Sequence, residues 1–485
     1  MWAKPNLHRQ STWIEYEGPT KMEQSIKTQH KEKTSPIILR KVNYSFHSAT
    51  QSVCPVCNRL INAQRIIKND RVYMRKFCQE HGHFEVVISS SVDWFLSTFG
   101  KTRPDYRPRN FATVVKNGCP YDCGLCPDHQ HHTCKAVIEV TDDCDLKCPV
   151  CLVGQRGSYF LDLKTIEKML DKFILCEGEG AELVTISGGE PTMHPEILEI
   201  LKMAEERNIG CVHLNTNGLR LMRDEGFTEK LSQFKNLYIN LQFDGFRPVT
   251  WLKTRGADLS QIKMKVLDLL EKYEISTILT ATVVKDINDD ELGDILALSL
   301  EKNNIKALNM QPIVYIGHAT DLDYDADRHI TMSDLITMLE EKSHGLIKMN
   351  DWIAPCSPLC VANCYISVCG NDKRVKAVKD LLDEDSYRNV VHNRADVTYE
   401  LDNLLDDRSK RDEEYVMKLN IHAFMDAYTF DIERIIQCCI HCLVPDGKIL
   451  PWCAYNHFYR SSDDRYRNKF QINPYGLAPS IKEGN

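Results

Sequence analysis

The stretch TDDCDLKCPVC, residues 141–151, decides the fold, because it places Cys144, Cys148 and Cys151 directly after a strand-like run. Three thiolates can hold three irons of a cubane iron–sulfur cluster and leave the fourth iron open to a substrate or cofactor. The open iron would make such a site catalytic. A zinc knuckle with a distant fourth ligand would use the same residue types, and the next motif separates the two interpretations.

The second strand-like run ends in SGGEPT, residues 187–192. Two glycines at the carboxyl end of a strand let the backbone approach a ligand closely. From residue 136 to about 345, apolar runs alternate with amphipathic helical patterns. This alternation predicts an α/β fold with six parallel strands, either doubly wound or a partial barrel, whose ligands lie at the carboxyl ends of the strands.

CxxxCxxC followed by GGEP in this setting resembles the radical S-adenosylmethionine (SAM) superfamily across residues 136–345. The resemblance implies a partial (β/α)6 TIM-like barrel, a [4Fe–4S] cluster that binds SAM, and release of a 5′-deoxyadenosyl radical. It assigns two sets of residues by position: the catalytic cluster ligands Cys144, Cys148 and Cys151, and the methionine-site residues Gly188, Gly189 and Glu190.

Polar residues at the ends of later strands are candidates for binding the rest of SAM. They stand where ribose hydroxyls could be held, but each could equally cap a turn. Both interpretations stay open for Asn215, Asn217, Gln242, Asp244 and, at the sixth strand, Gln311.

The segment GCPYDCGLCPDHQHHTC, residues 118–134, contains Cys119, Cys123, Cys126 and Cys134. Four thiolates within 16 residues can complete an auxiliary [4Fe–4S] cluster or a structural zinc site without other ligands. Its CxxxCxxC spacing also competes for the SAM-cleaving role. The missing preceding strand and the nearby fourth cysteine favour an auxiliary cluster.

Farther upstream, CPVC and CQEHGHF supply Cys54, Cys57 and Cys78 together with His81 or His83. Sulfur and imidazole in this spacing favour a tetrahedral zinc or a rubredoxin-like mononuclear iron. The sequence does not choose between these metals.

Eight cysteines lie between residues 356 and 453, more than one cubane requires. Adjacent side chains in an extended chain point to opposite faces, so Cys438 and Cys439 are not expected to ligate the same cluster. The predicted ligands of a second auxiliary cluster are Cys356, Cys360, Cys439 and Cys453, with Cys364, Cys369, Cys438 and Cys442 as alternates. Cys176 and Cys211 are interpreted as small buried hydrophobes.

Composition supports a cytoplasmic metal protein. The chain has 485 residues, 20 cysteines and a formal charge of -8, with no long apolar run and no export signal at its start. Clustered thiols in a reducing compartment favour metal over disulfides, and the negative charge argues against a nucleic-acid partner. The predicted regions are a flexible polar arm at 1–45, a rubredoxin-like or zinc knuckle at 46–109, an auxiliary cluster segment at 110–135, the barrel at 136–345 and a C-terminal auxiliary cluster domain at 346–485.

The order of these motifs across residues 50–457 is similar to the tetraether lipid synthase group, some of whose members were described as radical methyltransferases acting on a pterin. The resemblance implies carbon–carbon bond formation between lipid alkyl chains, an electron donor such as ferredoxin or flavodoxin, and peripheral contact with a membrane. A largely apolar pocket is expected for such chains. The alternatives are a methyltransferase acting on a pterin-like or other small substrate, a peptide-modifying enzyme, and a multicentre electron carrier, which would not need GGEP.

Overall fold

Two β-sheets, of four and eleven strands, carry the fold in the computed structural model. The structure describes residues 43–99, 107–153, 159–178, 181–322, 324–326, 329–355, 357, 359–369, 374–383, 387 and 414–460. The arm predicted at 1–45 therefore lies almost wholly outside the described residues. The strands are β1 (Ser45–Val53), β2 (Leu60–Lys68), β3 (Arg71–Cys78), β4 (Gly82–Ser89), β5 (Lys135–Thr141), β6 (Leu183–Gly188), β7 (Cys211–Thr216), β8 (Leu237–Gln242), β9 (Thr277–Val283), β10 (Ile305–Pro312), β11 (Val361–Cys369), β12 (Arg374–Ala377), β13 (Glu414–His422), β14 (Ile440–Leu443) and β15 (Ile449–Pro451).

Amphipathic helices connect successive strands of the larger sheet. In the second helix, Ile166, Leu170 and Phe173 recur every three or four positions and are buried, and Asp162 caps the first turn by accepting from the backbone N–H of Thr165. The helices are α1 (Val92–Thr98), α2 (Leu163–Glu177), α3 (Ile197–Glu205), α4 (Leu219–Arg223), α5 (Glu225–Leu231), α6 (Pro248–Arg255), α7 (Ser260–Lys272), α8 (Leu292–Glu301), α9 (Met332–Lys342), α10 (Ile432–Ile436) and α11 (Trp452–Ala454). None of the described helices is both long and apolar enough to cross a bilayer.

The smaller sheet is an antiparallel meander of β1 to β4. Residues alternate between buried and exposed along β3, as expected for a strand with one buried face. Asn69 and Asp70 form the two-residue turn between β2 and β3, and both have positive φ angles, 50° and 55°. Such turns match the twist of the paired strands, so local sequence fixes this hairpin.

The six predicted parallel strands are present as β5 to β10, which confirms the predicted α/β barrel. Two further parallel strands extend it: β13 pairs with β10, and β14 pairs with β5. Among the described residues, the larger sheet therefore contains eight parallel strands, and the space that they enclose is here called the lumen. Both added strands come from the region that the sequence assigned to a separate C-terminal domain, so part of that region belongs to the barrel sheet.

A buried ion pair joins the four-stranded sheet to the C-terminal region. Arg65 on β2 contacts Asp431 at 2.6 Å, and their side chains are 2% and 1% exposed. Thr50 donates to the same carboxylate at 2.7 Å, and Lys76 on β3 donates to the carbonyl of Ala427 at 2.6 Å. The sheet is therefore fixed on α10 by several buried polar contacts.

Candidate active site and metal centres

A cavity of about 270 Å³, here called the upper cavity, lies where the loop of residues 142–151 follows β5. Cys144, Cys148 and Cys151 all line it. Residues at the carboxyl ends of β6 to β10 line the same space. The three cysteines thus lie where ligands bind in parallel barrels.

The glycines that follow β6 are packed against the chain just before Cys144. A Cβ atom on Gly188 would lie 2.0 Å from the carbonyl oxygen of Thr141, and one on Gly189 would lie 2.2 Å from that of Asp143. The backbone N–H of Gly189 donates to the Thr141 carbonyl at 2.8 Å. Any side chain here would push the two segments apart, so the glycines hold the cysteine loop beside the end of β6.

Glu190 lines the upper cavity, but its carboxylate is already occupied by protein donors. It accepts from the hydroxyls of Thr192 and Thr216 at 2.6 and 2.8 Å, and from the backbone N–H of Asn217 at 2.7 Å. Burial raises the pKa of this carboxyl, while the hydrogen bonds act against that shift. The side chain ties the end of β6 to the end of β7.

Four of the five other polar residues predicted at strand ends line the upper cavity: Asn215, Asn217, Gln242 and Gln311. Asn217 also acts as a cap, since its side chain accepts from the N–H of Leu219 at 2.9 Å and donates to Asp145 at 2.7 Å. The turn-capping interpretation therefore applies to Asn217.

Asp244 does not reach the cavity, so its predicted contact with a ribose does not hold. Its side chain is fully buried and is not among the residues that line the space. The carboxylate accepts from Arg255 at 2.5 and 2.8 Å and from the backbone N–H of Thr282 at 2.9 Å. Burial alone would raise the pKa of Asp244, but Arg255 lowers it. The carboxylate therefore stays charged although it is buried behind the residues that line the upper cavity.

Arg255, at the end of α6, is a site residue that sequence reasoning missed. It lines the upper cavity together with Cys148. Burial raises the pKa of the Cys148 thiol and the guanidinium of Arg255 lowers it. Nothing in the run KTRG, residues 253–256, distinguishes this arginine from an exposed one.

The C-terminal segment contributes another part of the cavity wall that the sequence did not predict. Arg460 makes a bidentate ion pair with Glu139 on β5, at 2.6 and 2.9 Å, and both residues line the upper cavity. Beside them, Phe424 and Trp452 stack with ring centroids 4.0 Å apart. Residues far along the chain therefore complete the site.

Polar side chains continue down the inside of the barrel into a second space of about 100 Å³, here called the lower cavity. Both cavities are lined by Lys135, Asn240, His422 and Ile440, so they adjoin. Hydrogen bonds connect strand to strand in this layer, through the pairs Ser187–Asn215, Asn215–Asn240, Asn240–Thr280, Thr280–Asn309 and Asn363–Asn420. The described lining thus combines apolar surface, which is the larger part in both cavities, with a layer of hydrogen-bonding groups.

The four-stranded sheet brings Cys54, Cys57, Cys78 and His81 together. The sulfurs of Cys57 and Cys78 are 3.9 Å apart, and the Nδ1 atom of His81 lies 3.5 Å from the sulfurs of Cys54 and Cys78. Ligands about 2.3 and 2.1 Å from a tetrahedral metal would be separated by roughly 3.8 and 3.6 Å. The set therefore fits one metal ion. His83 instead packs on the ring of Phe77.

Among the described residues, no second group of cysteine, histidine or acidic side chains brings its ligand atoms within 4.8 Å of one another. Cys119, Cys123 and Cys126 instead surround a separate space of about 20 Å³. The pKa of Cys123 is raised by its hydrogen bond to Cys119, by burial and by the nearby thiols of Cys438 and Cys126. Cys438 is thus one thiol that the C-terminal region brings toward this motif, and Cys453 belongs to the same buried cluster as Cys123.

Cys134 is separated from the other three cysteines of its segment. It lines the lower cavity, not the space between Cys119, Cys123 and Cys126. Its sulfur lies 3.3 Å from the Nε2 atom of His132, whose Nδ1 atom lies 3.1 Å from the carboxylate of Glu177. The four-cysteine set predicted for an auxiliary cluster is therefore only partly brought together.

In the C-terminal set, Cys438 rather than Cys439 lies with Cys360 and Cys453. The pKa of Cys438 is raised by burial and then by the thiols of Cys360 and Cys453. Cys439 points the other way and lines the lower cavity with Cys134, as alternation along an extended chain requires. Cys356 lies outside the described residues. Cys364 and Cys442 lie within β11 and β14, and Cys369 ends β11.

Comparisons with known proteins place this geometry in a family. The family model for the radical SAM superfamily matches residues 138–299, and that for the HMPTM N-terminal zinc ribbon domain matches residues 46–90. The 7,8-dihydro-6-hydroxymethylpterin dimethyltransferase of Methanocaldococcus jannaschii is 29% identical over 490 residues, which cover 87% of this chain and 95% of that protein. GTP 3′,8-cyclase of Alkaliphilus oremlandii is 27% identical over 205 residues, 41% of this chain and 61% of that protein.

Among solved structures, Streptococcus suis SuiB bound to S-adenosylmethionine aligns with 44% of this chain and 47% of that chain, at 19% identity and a TM-score of 0.38. The match thus spans about half of that structure.

Residues 138–299 match the radical SAM domain, which supports a radical SAM enzyme. The cofactors of this family are a [4Fe–4S] cluster and SAM, and the cysteine groups and the zinc ribbon match indicate further metal sites.

Proposed function

We propose that this radical SAM enzyme alkylates a compact, polar heterocycle of the pterin type, with methylation as the first reaction to test. The observation that supports this proposal is the lumen beneath the three loop cysteines. Amide, hydroxyl and lysine side chains reach a space whose lining is otherwise mainly apolar, as expected for a ligand of limited size with a few hydrogen-bonding groups.

In this proposal Cys144, Cys148 and Cys151 hold the cluster, and the glycine turn and strand ends hold SAM. When bound, these cofactors supply a carbon radical that abstracts a hydrogen atom from the substrate. The chain's own residues orient and enclose the reactants: Gln311 offers an amide group at the end of β10, and the Phe424–Trp452 stack shields one side from water.

Coupling of lipid alkyl chains, implied by the subfamily resemblance, is the competing proposal. An alkyl chain gains about 0.8 kcal/mol for each CH₂ group transferred from water to an apolar wall. Oδ1 of Asn309, which has no hydrogen-bond partner among the described residues, would stay unpaired against an alkyl chain, at a cost of roughly 1–3 kcal/mol. The similarity to a pterin dimethyltransferase over 87% of this chain also favours the pterin-type substrate.

Anaerobic incubation of the reconstituted protein with SAM, dithionite and 6-hydroxymethyl-7,8-dihydropterin tests the proposal. We expect 5′-deoxyadenosine and a methylated pterin by mass spectrometry, provided that a methyl donor from cell extract is present. Cys148→Ala should form neither product, while Cys176→Ala, a buried cysteine away from both cavities, should form both. A coupled product from diether lipid vesicles, with the pterin unchanged, would overturn the proposal in favour of lipid coupling.

A further inference from the structure

The lower cavity lies at the amino ends of the strands, on the far side of the lumen from the glycine turn. Lys135 begins β5, whereas Lys418, Asn420 and His422 occupy alternate positions on β13. Alternate residues of a strand share one face, and all three β13 residues line this cavity. Two lysines from strands at different positions in the sheet therefore contribute to one small space.

The amides of this layer leave hydrogen-bonding capacity for a ligand. Asn309 is 7% exposed, and its Nδ2 atom donates to Thr280 at 3.2 Å, but its Oδ1 atom has no hydrogen-bond partner in the structure. A buried acceptor without a partner is costly unless a ligand or water supplies a donor. Asn309 lines the lower cavity directly.

Charge in the lower cavity is of one sign. No aspartate or glutamate is among the described residues that line it. Lys135, Lys418 and His422 line the same cavity, and burial, followed by the charges of the two lysines, lowers the pKa of His422. The Nζ atom of Lys418 also lies 5.7 Å from the ring centroid of Tyr365. Glu139, the nearest acid along β5, lines the upper cavity and is paired with Arg460.

We propose that the lower cavity binds an anionic substituent of the substrate, a carboxylate or a phosphate, through Lys135 and Lys418. The asparagines then receive the polar edge of the ring, which extends toward the upper cavity. This inference rests on the proposed function and adds to it: a heterocycle with an anionic substituent is bound in preference to its neutral counterpart. An ammonium group on a flexible stem is suited to either anion.

Binding can be measured on the full-length reconstituted protein with S-adenosylhomocysteine present to fill the upper cavity. The probes are pterin-6-carboxylate, neutral 6-hydroxymethylpterin and its phosphate ester, each followed by fluorescence quenching. We expect both anionic pterins to bind at least about tenfold more tightly than the neutral one. Lys418→Met and Lys418→Gln should remove that preference, whereas Lys306→Met, on the neighbouring strand and near the ring of Tyr415, should keep it.

Inorganic phosphate separates this inference from the proposed function. A ligand that binds the native state raises its Tm, so phosphate should raise the Tm of the wild type and of Lys306→Met but not of the Lys418 variants. Equal binding of neutral and anionic pterins, or a phosphate effect that Lys418→Met retains, would overturn the anion site even if pterin is methylated. Phosphate binding that depends on Lys418, without binding of any pterin, would support the anion site and overturn the pterin substrate.

Discussion

Arg255 donates two hydrogen bonds to Asp244, at 2.5 Å from Nε and 2.8 Å from Nη2, and lines the same cavity as Cys148, where its positive charge lowers the pKa of that thiol. The carboxylate behind it fixes the orientation of the positive charge. This charge faces the position at which Cys148 is proposed to bind iron. Removing it should therefore change the electronic properties of the cluster and not only its assembly.

Arg255→Met should make the SAM-binding cluster harder to reduce, because adding an electron is less favourable without the nearby positive charge. We expect a decrease in reduction potential of about 60 mV, a tenfold change for a one-electron couple. Redox titration followed by EPR measures it. Arg255→Lys keeps a positive charge near the cluster, so we expect a smaller decrease in reduction potential than for Arg255→Met. Arg247→Met, at the residue that precedes the same helix and has a 45% exposed side chain, should leave the potential unchanged. Equal potentials in all variants would contradict this role.

His81→Ala should release one metal ion per chain, since Nδ1 of His81 completes the tetrahedral set. His83→Ala, two residues away, should retain the ion because His83 packs on Phe77. Elemental analysis of the purified proteins measures zinc and iron together and identifies the metal. Metal loss from His83→Ala alone would reverse the assignment.

Cys123→Ala should lose about four irons, whereas Cys134→Ala should keep them. Cys123 lies with Cys119 and Cys126, but Cys134 lines the lower cavity. Iron and sulfide analysis after anaerobic reconstitution makes the comparison, with Cys176→Ala as the control for loss of a buried thiol. If the two variants lose iron equally, Cys134 is the fourth ligand after all.

Asp431→Asn should destabilise the contact between the four-stranded sheet and α10 by about 3–5 kcal/mol, because it leaves the buried charge of Arg65 without its main partner. Urea unfolding and limited proteolysis of the sheet can detect the change. Glu433→Gln removes the second, half-exposed partner of Arg65 and should cost under about 1 kcal/mol. Similar losses in both variants would show that burial does not govern this contact.

Local pattern was sufficient to predict β5 to β10, because each is a run of alternating or apolar residues and four of the six are followed by a helical pattern. It did not reveal β13 and β14, whose partners β10 and β5 are distant in sequence. The four-residue β14 carries little pattern of its own. Strand order beyond adjacent units depends on tertiary contacts that periodicity does not encode.

The candidate site shows the same division. Asn215 and Gln311 follow strands and line the cavity, as the position of a strand end suggests. Asp244 also follows a strand, but its carboxylate accepts a hydrogen bond from Arg255, eleven positions further on, and does not line the cavity. Sequence alone shows which polar residues reach a strand end. It does not show which of them a neighbouring helix has already paired.

Pairing of Lys135 with Ile440 across β5 and β14 joins residues separated by roughly 300 positions, a contact of very high sequence separation. During synthesis, β5 and β10 emerge from the ribosome long before the strands that cover their edges. Those edges stay open to wrong pairing until residues 414–443 are available. We therefore expect nascent chains to need a chaperone, and maturation with iron and sulfide to follow translation, not accompany it.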